Sequence, residues 1–325
     1  MTPTTSTSAP SSPTSTPTTT TAPASSTIPT IALTTTWSDY EFGPGHDRVL
    51  WGLSVGGNQS TREQVYDAYE QRSGRPVSIG HTFHPWDDPI PSEVDLYHLA
   101  NDRLLLLSWN GTDTIEIASG IHDDWIRTQA RAVGDLNDRI LLRWLWEMDG
   151  RRRLETVHSG PDYINAWNHV RAIFDEEGVD NAEFVWCPND FLFDTGLDPL
   201  VWYPGDDHVD WLCADGYNWS ESPELDTWES FEEIFRGFYD WAEPRGLPIM
   251  IAETGSGEDG NGAKAAWISE LPHVLETEFP AIDAVVYFDI DATARGHLDW
   301  RLSTSVPTLD AWVGALQHPY TYPQN

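Results

Sequence analysis

Eight short apolar segments alternate with segments of helical periodicity from Trp37 onward, and this alternation constrains the fold more than any other feature. Apolar runs without a polar face predict strands that are buried on both sides of a parallel sheet. The predicted strands are residues 49–55, 76–83, 103–109, 139–147, 182–187, 209–217, 247–253 and 282–289. Between them, core-facing stripes predict helices, most clearly at Phe231, Ile234, Phe235 and Phe238.

Eight strands in alternation with helices predict an α/β fold, a (β/α)8 TIM barrel over residues 37–325. The competing architecture is a doubly wound open sheet, which would place a Gly-rich phosphate loop after its first strand. Gly56-Gly57-Asn58 does not match that fingerprint. The sequence therefore favours the barrel.

Residues 1–36 consist almost entirely of Thr, Ser, Pro and Ala and contain no charged residue. Such a segment cannot bury enough apolar surface to offset the entropy of ordering its backbone, so we predict a disordered linker or stalk. The composition is that of O-glycosylated extracellular stalks. No signal peptide is recognisable, and no apolar run reaches transmembrane length. We expect a secreted or cell-surface protein without a membrane span.

The chain has 52 acidic and 18 basic residues, a formal net charge of −34, and Lys264 is its only lysine. Such a surface suits concentrated salt, where repulsion between carboxylates is screened, and it predicts a halophilic protein. It argues against nucleic acid as a partner, because neutralising phosphates requires a basic patch. We expect a monomer whose partner is a polysaccharide.

Two cysteines and a pair of histidines are the residues that could build a metal or redox site. Cys187 and Cys213 lie in predicted strands, so buried free thiols are the default expectation and a bridge between neighbouring strands is the alternative. His81 and His84 suggest a metal, but strands five and six offer no further histidine. We predict neither a metal nor a cofactor.

Two predicted strands end in a glutamate that a glycine soon follows, at Glu147 and Glu253. Burying a carboxylate is costly unless something is gained from it. In a barrel, both glutamates would lie on the C-terminal face, on opposite sides of its mouth. Two carboxylates across a groove of sugar-ring size are the machinery of glycoside hydrolysis. For either glutamate alone, the alternative is a carboxylate that caps the next helix.

Polar and aromatic residues near the other strand ends supply candidate substrate contacts. Several of the 17 tryptophans lie there, and flat indole faces stack on pyranose rings. The candidates are His84, Trp86, Trp109, Trp146, Asn189, Trp219 and Asp289. Tyr217 and Arg143 are candidate supporting residues, because an ionised Glu253 requires hydrogen bonds.

Several of these segments together resemble glycoside hydrolase family 26 of the clan A barrels. They are Arg143 with Trp146-Glu147-Met148-Asp149-Gly150, residues 185–189, 209–218 and 248–255, and the closing pieces 287–289 and 299–301. The resemblance implies that Glu147 is the general acid/base, that Glu253 is the nucleophile and that Tyr217 holds the nucleophile. It implies a retaining endo-β-glycanase, first of all for β-1,4-mannan, with β-glucan or xylan as the alternative.

Two positions depart from the family pattern. Trp146 stands where the family usually has His, and Asp149 stands where it usually has Asn. The His normally contacts the sugar or the nucleophile, so its replacement bears on the substrate more than on the reaction. Two further alternatives remain open: a barrel that binds carbohydrate without cutting it, and a metal-assisted hydrolase.

Overall fold

A computed structural model describes residues 1, 37, 40–43, 48–194, 196–221 and 226–322. The predicted disordered segment, residues 1–36, lies outside the described residues apart from Met1.

Eight parallel strands form a closed barrel in chain order, and the last strand pairs with the first. The (β/α)8 prediction is therefore confirmed, and the doubly wound alternative is wrong. The strands are β1 (Leu50–Val55), β2 (Ile79–His84), β3 (Leu104–Trp109), β4 (Ile140–Trp144), β5 (Ala182–Trp186), β6 (Trp211–Asn218), β7 (Ile249–Ser256) and β8 (Ile282–Asp289).

Ten α-helices in the described residues surround the barrel. They are α1 (Gln59–Ser73), α2 (Glu93–Ala100), α3 (Thr114–Ala118), α4 (Asp123–Gly134), α5 (Leu154–Val157), α6 (Gly160–Glu176), α7 (Phe191–Asp194), α8 (Phe231–Ala242), α9 (Ala263–Thr277) and α10 (Val306–Leu316). The stripe predicted for α8 is confirmed, since Phe231, Ile234, Phe235 and Phe238 are buried. None of these helices is both long enough and apolar enough to cross a membrane.

Side chains alternate between the barrel interior and the layer under the helices. In β3, Leu105 and Leu107 belong to the outer core, whereas Leu104 and Leu106 belong to the interior cluster. This alternation follows from the period of two in an extended strand. Because both faces are apolar and buried, the strands appear in the sequence as continuous hydrophobic runs.

Aromatic residues cover the N-terminal end of the strands. The ring of Phe42 lies 4.7 Å from that of Trp211, at the start of β6, and the rings of Trp37 and Tyr322 are 5.9 Å apart. Trp37 Nε1 donates a hydrogen bond to the carbonyl of Asp102. This end of the barrel is therefore closed, and the opposite end holds the loops that follow the strands.

Strands four and seven end at residues that differ from the prediction. β4 ends at Trp144, because Leu145 adopts a left-handed backbone with φ 43°, and Glu147 therefore lies three residues beyond the strand. β7 continues to Ser256, so Glu253 lies within the strand rather than at its end.

The prediction of free thiols is wrong. Cys187 and Cys213 form a disulfide that links the residue after β5 to β6, and both residues are fully buried. The alternative expectation, one bridge between neighbouring strands, is the one found.

Candidate active site

An irregularity in β7 directs Glu253 into the barrel. Ala214 of β6 pairs with Ile251, but the next residue, Asp215, pairs with Glu253, so Ala252 is an additional residue on β7. The pairing with β8 has a register shift in the same segment. A β-bulge of this kind bends the strand and re-aims the next side chain. Ile249 and Ile251 face the helices, whereas Glu253 points into the mouth of the barrel.

Two donors hold the carboxylate of Glu253. The Tyr217 hydroxyl donates to one oxygen at 2.6 Å, and Arg143 Nη2 forms an ion pair with the other. Only 5% of Glu253 is exposed. The two contacts fix both oxygens of Glu253 in position, as a nucleophile requires. The hydrogen bonds expected from Tyr217 and Arg143 are present.

Arg143 is fixed by two further groups, Asp215 and Ser108. Its Nη1 lies 2.8 Å from both oxygens of Asp215, and its Nε donates to Ser108 Oγ at 2.7 Å. Burial lowers the pKa of Arg143, but the charges of Asp215 and Glu253 outweigh burial and leave this pKa above its usual value. Arg143 is therefore a permanent cation behind Glu253. Asp215 lies in the segment 209–218 that resembles family 26, whereas Ser108 of β3 was not predicted from the sequence.

Backbone hydrogen bonds fix the segment that carries Glu147. Leu145 N donates to the carbonyl of Trp109, and Glu147 N donates to that of Cys187 at 2.8 Å. Glu147 has φ 51°, a left-handed conformation that costs a non-glycine residue about 1–2 kcal/mol. Neighbouring strand ends thus hold Glu147 in a backbone conformation that it would rarely adopt alone.

Glu147 is in a different electrostatic environment from Glu253. Burial raises the pKa of Glu147, the charge of Glu253 raises it further, and the result is about 7. Arg143 and Arg153 act in the opposite direction. Near neutral pH, a large fraction of Glu147 therefore carries a proton. A protonated carboxyl beside an ionised, hydrogen-bonded carboxylate is the pair that acid-assisted glycoside cleavage requires.

Three of the predicted substrate contacts lie around the mouth. Trp146 and Asn189 are half-buried, and the Trp146 ring lies 5.5 Å from that of Phe83. Trp219 is 48% exposed, and its ring lies about 5 Å from those of His297 and Trp300. The exposed indole of Trp219 lies 5.5 Å from the ring of Tyr217, which holds Glu253.

Four other predicted contacts point away from the mouth. Trp109 is fully buried and stacks on Trp86 at 4.8 Å, in the layer under the helices. His84 Nε2 lies 3.0 Å from a carboxylate oxygen of Asp95 in α2. Asp289 accepts hydrogen bonds from Leu302 N and the Tyr69 hydroxyl. The prediction that His84, Trp86, Trp109 and Asp289 contact substrate is not supported, because all four are buried in packing contacts.

Comparison with known proteins finds similarity to one family of glycoside hydrolases. The sequence profile of glycosyl hydrolase family 26 matches residues 121–247, which include β4, β5, β6 and Glu147. Endoglucanase H of Acetivibrio thermocellus is 29% identical over 280 residues, which are 82% of this chain and 30% of that protein. Beta-1,3-xylanase TXYA of a Vibrio species is 28% identical over 149 residues, 46% of this chain and 30% of that protein.

The chain is similar to glycoside hydrolase family 26 in sequence and in fold. It spans about 30% of the length of the two relatives just named. Solved family 26 structures share its fold: a β-mannanase from Bacteroides ovatus has a TM-score of 0.60 at 15% identity, with 85% of this chain and 90% of that chain covered. An endo-β-1,4-mannanase from Cellulomonas fimi has a TM-score of 0.60 at 14% identity, with 85% and 72% covered.

Arg153 is a residue near this site that was not predicted from the sequence. Its Nη1 donates to the Asn110 side-chain oxygen at 2.6 Å, and its guanidinium carbon lies 5.0 Å from the centre of the Trp146 ring. The signal in the sequence was the run of three arginines immediately after Gly150.

One group of potential metal ligands occurs in the described part of the chain. Atoms of Cys187, Cys213 and Asp215 lie within 4.8 Å of one another. The disulfide joins both sulfurs, and Asp215 accepts from Arg143, so none of the three is a suitable ligand in this state.

Proposed function

We propose that this chain is a retaining endo-β-glycanase of family 26, with Glu253 as nucleophile and Glu147 as general acid/base. The observation that carries the proposal is the contrast between the two carboxyl groups. Arg143 and Tyr217 hold Glu253 as an acceptor, while enclosure raises the pKa of Glu147 to about 7.

The proposed reaction has two displacements. Glu253 attacks the anomeric carbon, the glycosidic C–O bond breaks, and Glu147 gives its proton to the leaving oxygen. Glu147, now ionised, takes a proton from water as the water oxygen attacks the same carbon and releases Glu253. Each step inverts the anomeric centre, so the product retains its configuration.

The proposed substrate is a β-linked polysaccharide. The family resemblance in the sequence favours β-1,4-mannan. The match to Endoglucanase H over 82% of the chain favours a β-glucan as a second candidate. Both fit a mouth with exposed indole surface.

We further propose a secreted or cell-surface monomer that works in concentrated salt and does not bind nucleic acid. The Thr/Ser/Pro composition of residues 1–36 and the net charge of −34 support this proposal.

Reducing-sugar release from β-mannan, β-glucan, xylan and carboxymethyl-cellulose, in high salt with and without chelator, tests the proposal. We expect release from at least one polymer, with no effect of the chelator. Glu253→Ala should abolish it, and azide should restore turnover on an activated aryl glycoside as an external nucleophile. Glu232→Ala, on the outer face of α8, is the matched control and should keep its activity. Polymer binding without release would instead identify a non-catalytic barrel.

A further inference from the structure

Arg151, Arg152 and Arg153 follow directly on the segment that carries Glu147. We propose that Arg153, assisted by its two arginine neighbours, binds an anionic group on the sugar at the leaving-group side of the cleft. The ligand class is an acidic polysaccharide that carries carboxylate or sulfate ester groups. This inference rests on the proposed function and adds a substrate class to it.

The three arginines concentrate positive charge in a strongly acidic chain. The whole sequence has 18 basic and 52 acidic residues, and three of the basic residues are adjacent here. Arg151 and Arg152 are exposed, and Arg153 is half-buried. The general repulsion of the chain for anions is screened beyond about 10 Å at 0.1 M salt, whereas a guanidinium in the cleft acts at contact distance.

Two contacts hold the Arg153 guanidinium in a fixed orientation. Its Nη1 donates to Asn110 Oδ1 at 2.6 Å, and its guanidinium lies over the Trp146 ring at 5.0 Å. Asn110 is itself anchored, because its backbone N donates to the carbonyl of His84 at 2.9 Å. A guanidinium held by a hydrogen bond and a cation–π contact loses little further freedom when it binds a ligand.

The charge of Arg153 has no ion-pair partner among the residues that the structure describes. Arg143, ten residues earlier, pairs with both Asp215 and Glu253. The hydrogen-bond partner of Arg153 is the neutral amide oxygen of Asn110. Burial also lowers the pKa of Arg153, which indicates that its charge is incompletely compensated. An anionic ligand would supply the missing countercharge.

The position of Arg153 selects the leaving-group side of the cleft. It contacts residues at the ends of β3 and β4, Asn110 and Trp146, whereas Glu253 belongs to β7 across the mouth. Its strongest charge interaction is with Glu147, ahead of Glu253. Because the general acid protonates the leaving oxygen, a cation beside Glu147 faces the departing sugar.

The chemistry of the Arg153 guanidinium defines the class of ligand. A guanidinium presents parallel N–H groups that match two oxygens of a carboxylate or sulfate, and such charge-assisted pairs are about twice as strong as neutral hydrogen bonds. A neutral sugar hydroxyl offers no such countercharge. We therefore expect preference for a polymer with acidic groups over its neutral parent.

The test compares β-1,4-glucomannan with its C6-carboxylated and C6-sulfated forms. The quantity is the ratio of kcat/KM for each acidic form to kcat/KM for the neutral form. In Arg153→Gln we expect this ratio to fall about tenfold, the loss of roughly 1.4 kcal/mol. Arg131→Gln, on the outer surface of α4, removes an equal charge and should keep the wild-type ratio. A fall for the carboxylated form alone identifies a uronate site, and a fall for both forms identifies a general anion site.

Two further measurements separate this inference from the proposed function. Calorimetric binding of carboxylated glucomannan oligosaccharides to Glu253→Ala needs no turnover, and we expect it to weaken between about 0.1 and 1 M salt. Salt-sensitive binding without hydrolysis of any polymer would leave the anion site standing and reject the proposed enzyme. Hydrolysis of neutral glucomannan with the same ratio in wild type, Arg153→Gln and Arg152→Gln would overturn the anion site alone. Equal affinity of Glu253→Ala for carboxylated and neutral oligosaccharides, unchanged by salt, would also overturn the anion site. This outcome does not depend on whether Arg153→Gln folds.

Discussion

Glu147 and Glu253 are the same residue type in two different environments. Glu253 accepts hydrogen bonds from Tyr217 and Arg143, whereas Glu147 lies in an enclosed position that penalises its charged form. The negative charge of Glu253 adds to that penalty and raises the pKa of Glu147 further.

The pH dependence of the reaction follows from Glu147. Its pKa is raised to about 7, and the acid must be protonated to act, so kcat/KM should be highest below this pKa and fall as pH rises through about 7. Arg153→Gln should move this fall to higher pH, because the positive charge of Arg153 lowers the pKa of Glu147. A pH–rate profile on a natural polymer measures both effects.

Arg131→Gln again serves as the control, and its profile should match that of wild type. A profile that falls at the pH of an ordinary exposed carboxyl would contradict the assignment of Glu147. The decline should be weaker on an activated aryl glycoside, whose leaving group needs no proton.

At the residue scale, the sequence predicted the two glutamates and their partners but did not predict which face other residues take. Trp109 shares its side of β3 with Leu105 and Leu107, which face the helices. Both faces of β3 are apolar, so hydrophobicity alone could not show that Trp109 points outward. Asp289 was misassigned for the same reason.

At the element scale, the bulge in β7 determines whether the site exists. Strict alternation from Ile249 and Ile251 would direct Glu253 under the helices, and the additional residue Ala252 reverses this. The closed barrel was predictable because it depends on eight recurring patterns. The bulge was not, because an extra residue in one strand leaves no mark on local hydrophobicity.

The disulfide between Cys187, just after β5, and Cys213 of β6 lies next to the site, because the Cys187 carbonyl accepts a hydrogen bond from Glu147 N. The bridged residues are 26 positions apart, and a loop of this size implies about 3.5 kcal/mol of stabilisation through the unfolded state. We expect Cys187→Ala/Cys213→Ala to lower the free energy of unfolding by about this amount in urea denaturation.

Wild-type protein unfolded with and without reductant is the matching comparison, because it is independent of any cavity that Ala leaves. Equal free energies of unfolding in the two conditions would show that the bridge does not contribute to stability.

At the scale of the whole molecule, the acidic composition sets the response to salt. With 52 acidic and 18 basic residues, surface carboxylates repel one another. Lowering salt from about 1 M to 0.1 M lengthens the screening distance from roughly 3 to 10 Å. We expect the melting temperature to fall on desalting, as measured by circular dichroism. Sucrose in place of salt controls for stabilisation that does not depend on charge screening. An equal melting temperature at the two salt concentrations would contradict the halophilic interpretation.

The segments that enter and leave the barrel meet at one end of it. Val49 bridges to Thr321, and the rings of Trp37 and Tyr322 lie 5.9 Å apart beneath the strands. The cleft opens at the opposite end of the strands, where Glu147 and Glu253 lie. A tether joined just before Trp37 or just after Tyr322 would therefore fix the protein to a bead or fibre with its cleft turned outward. Immobilisation through either point leaves room for a long polymer to reach both carboxyl groups.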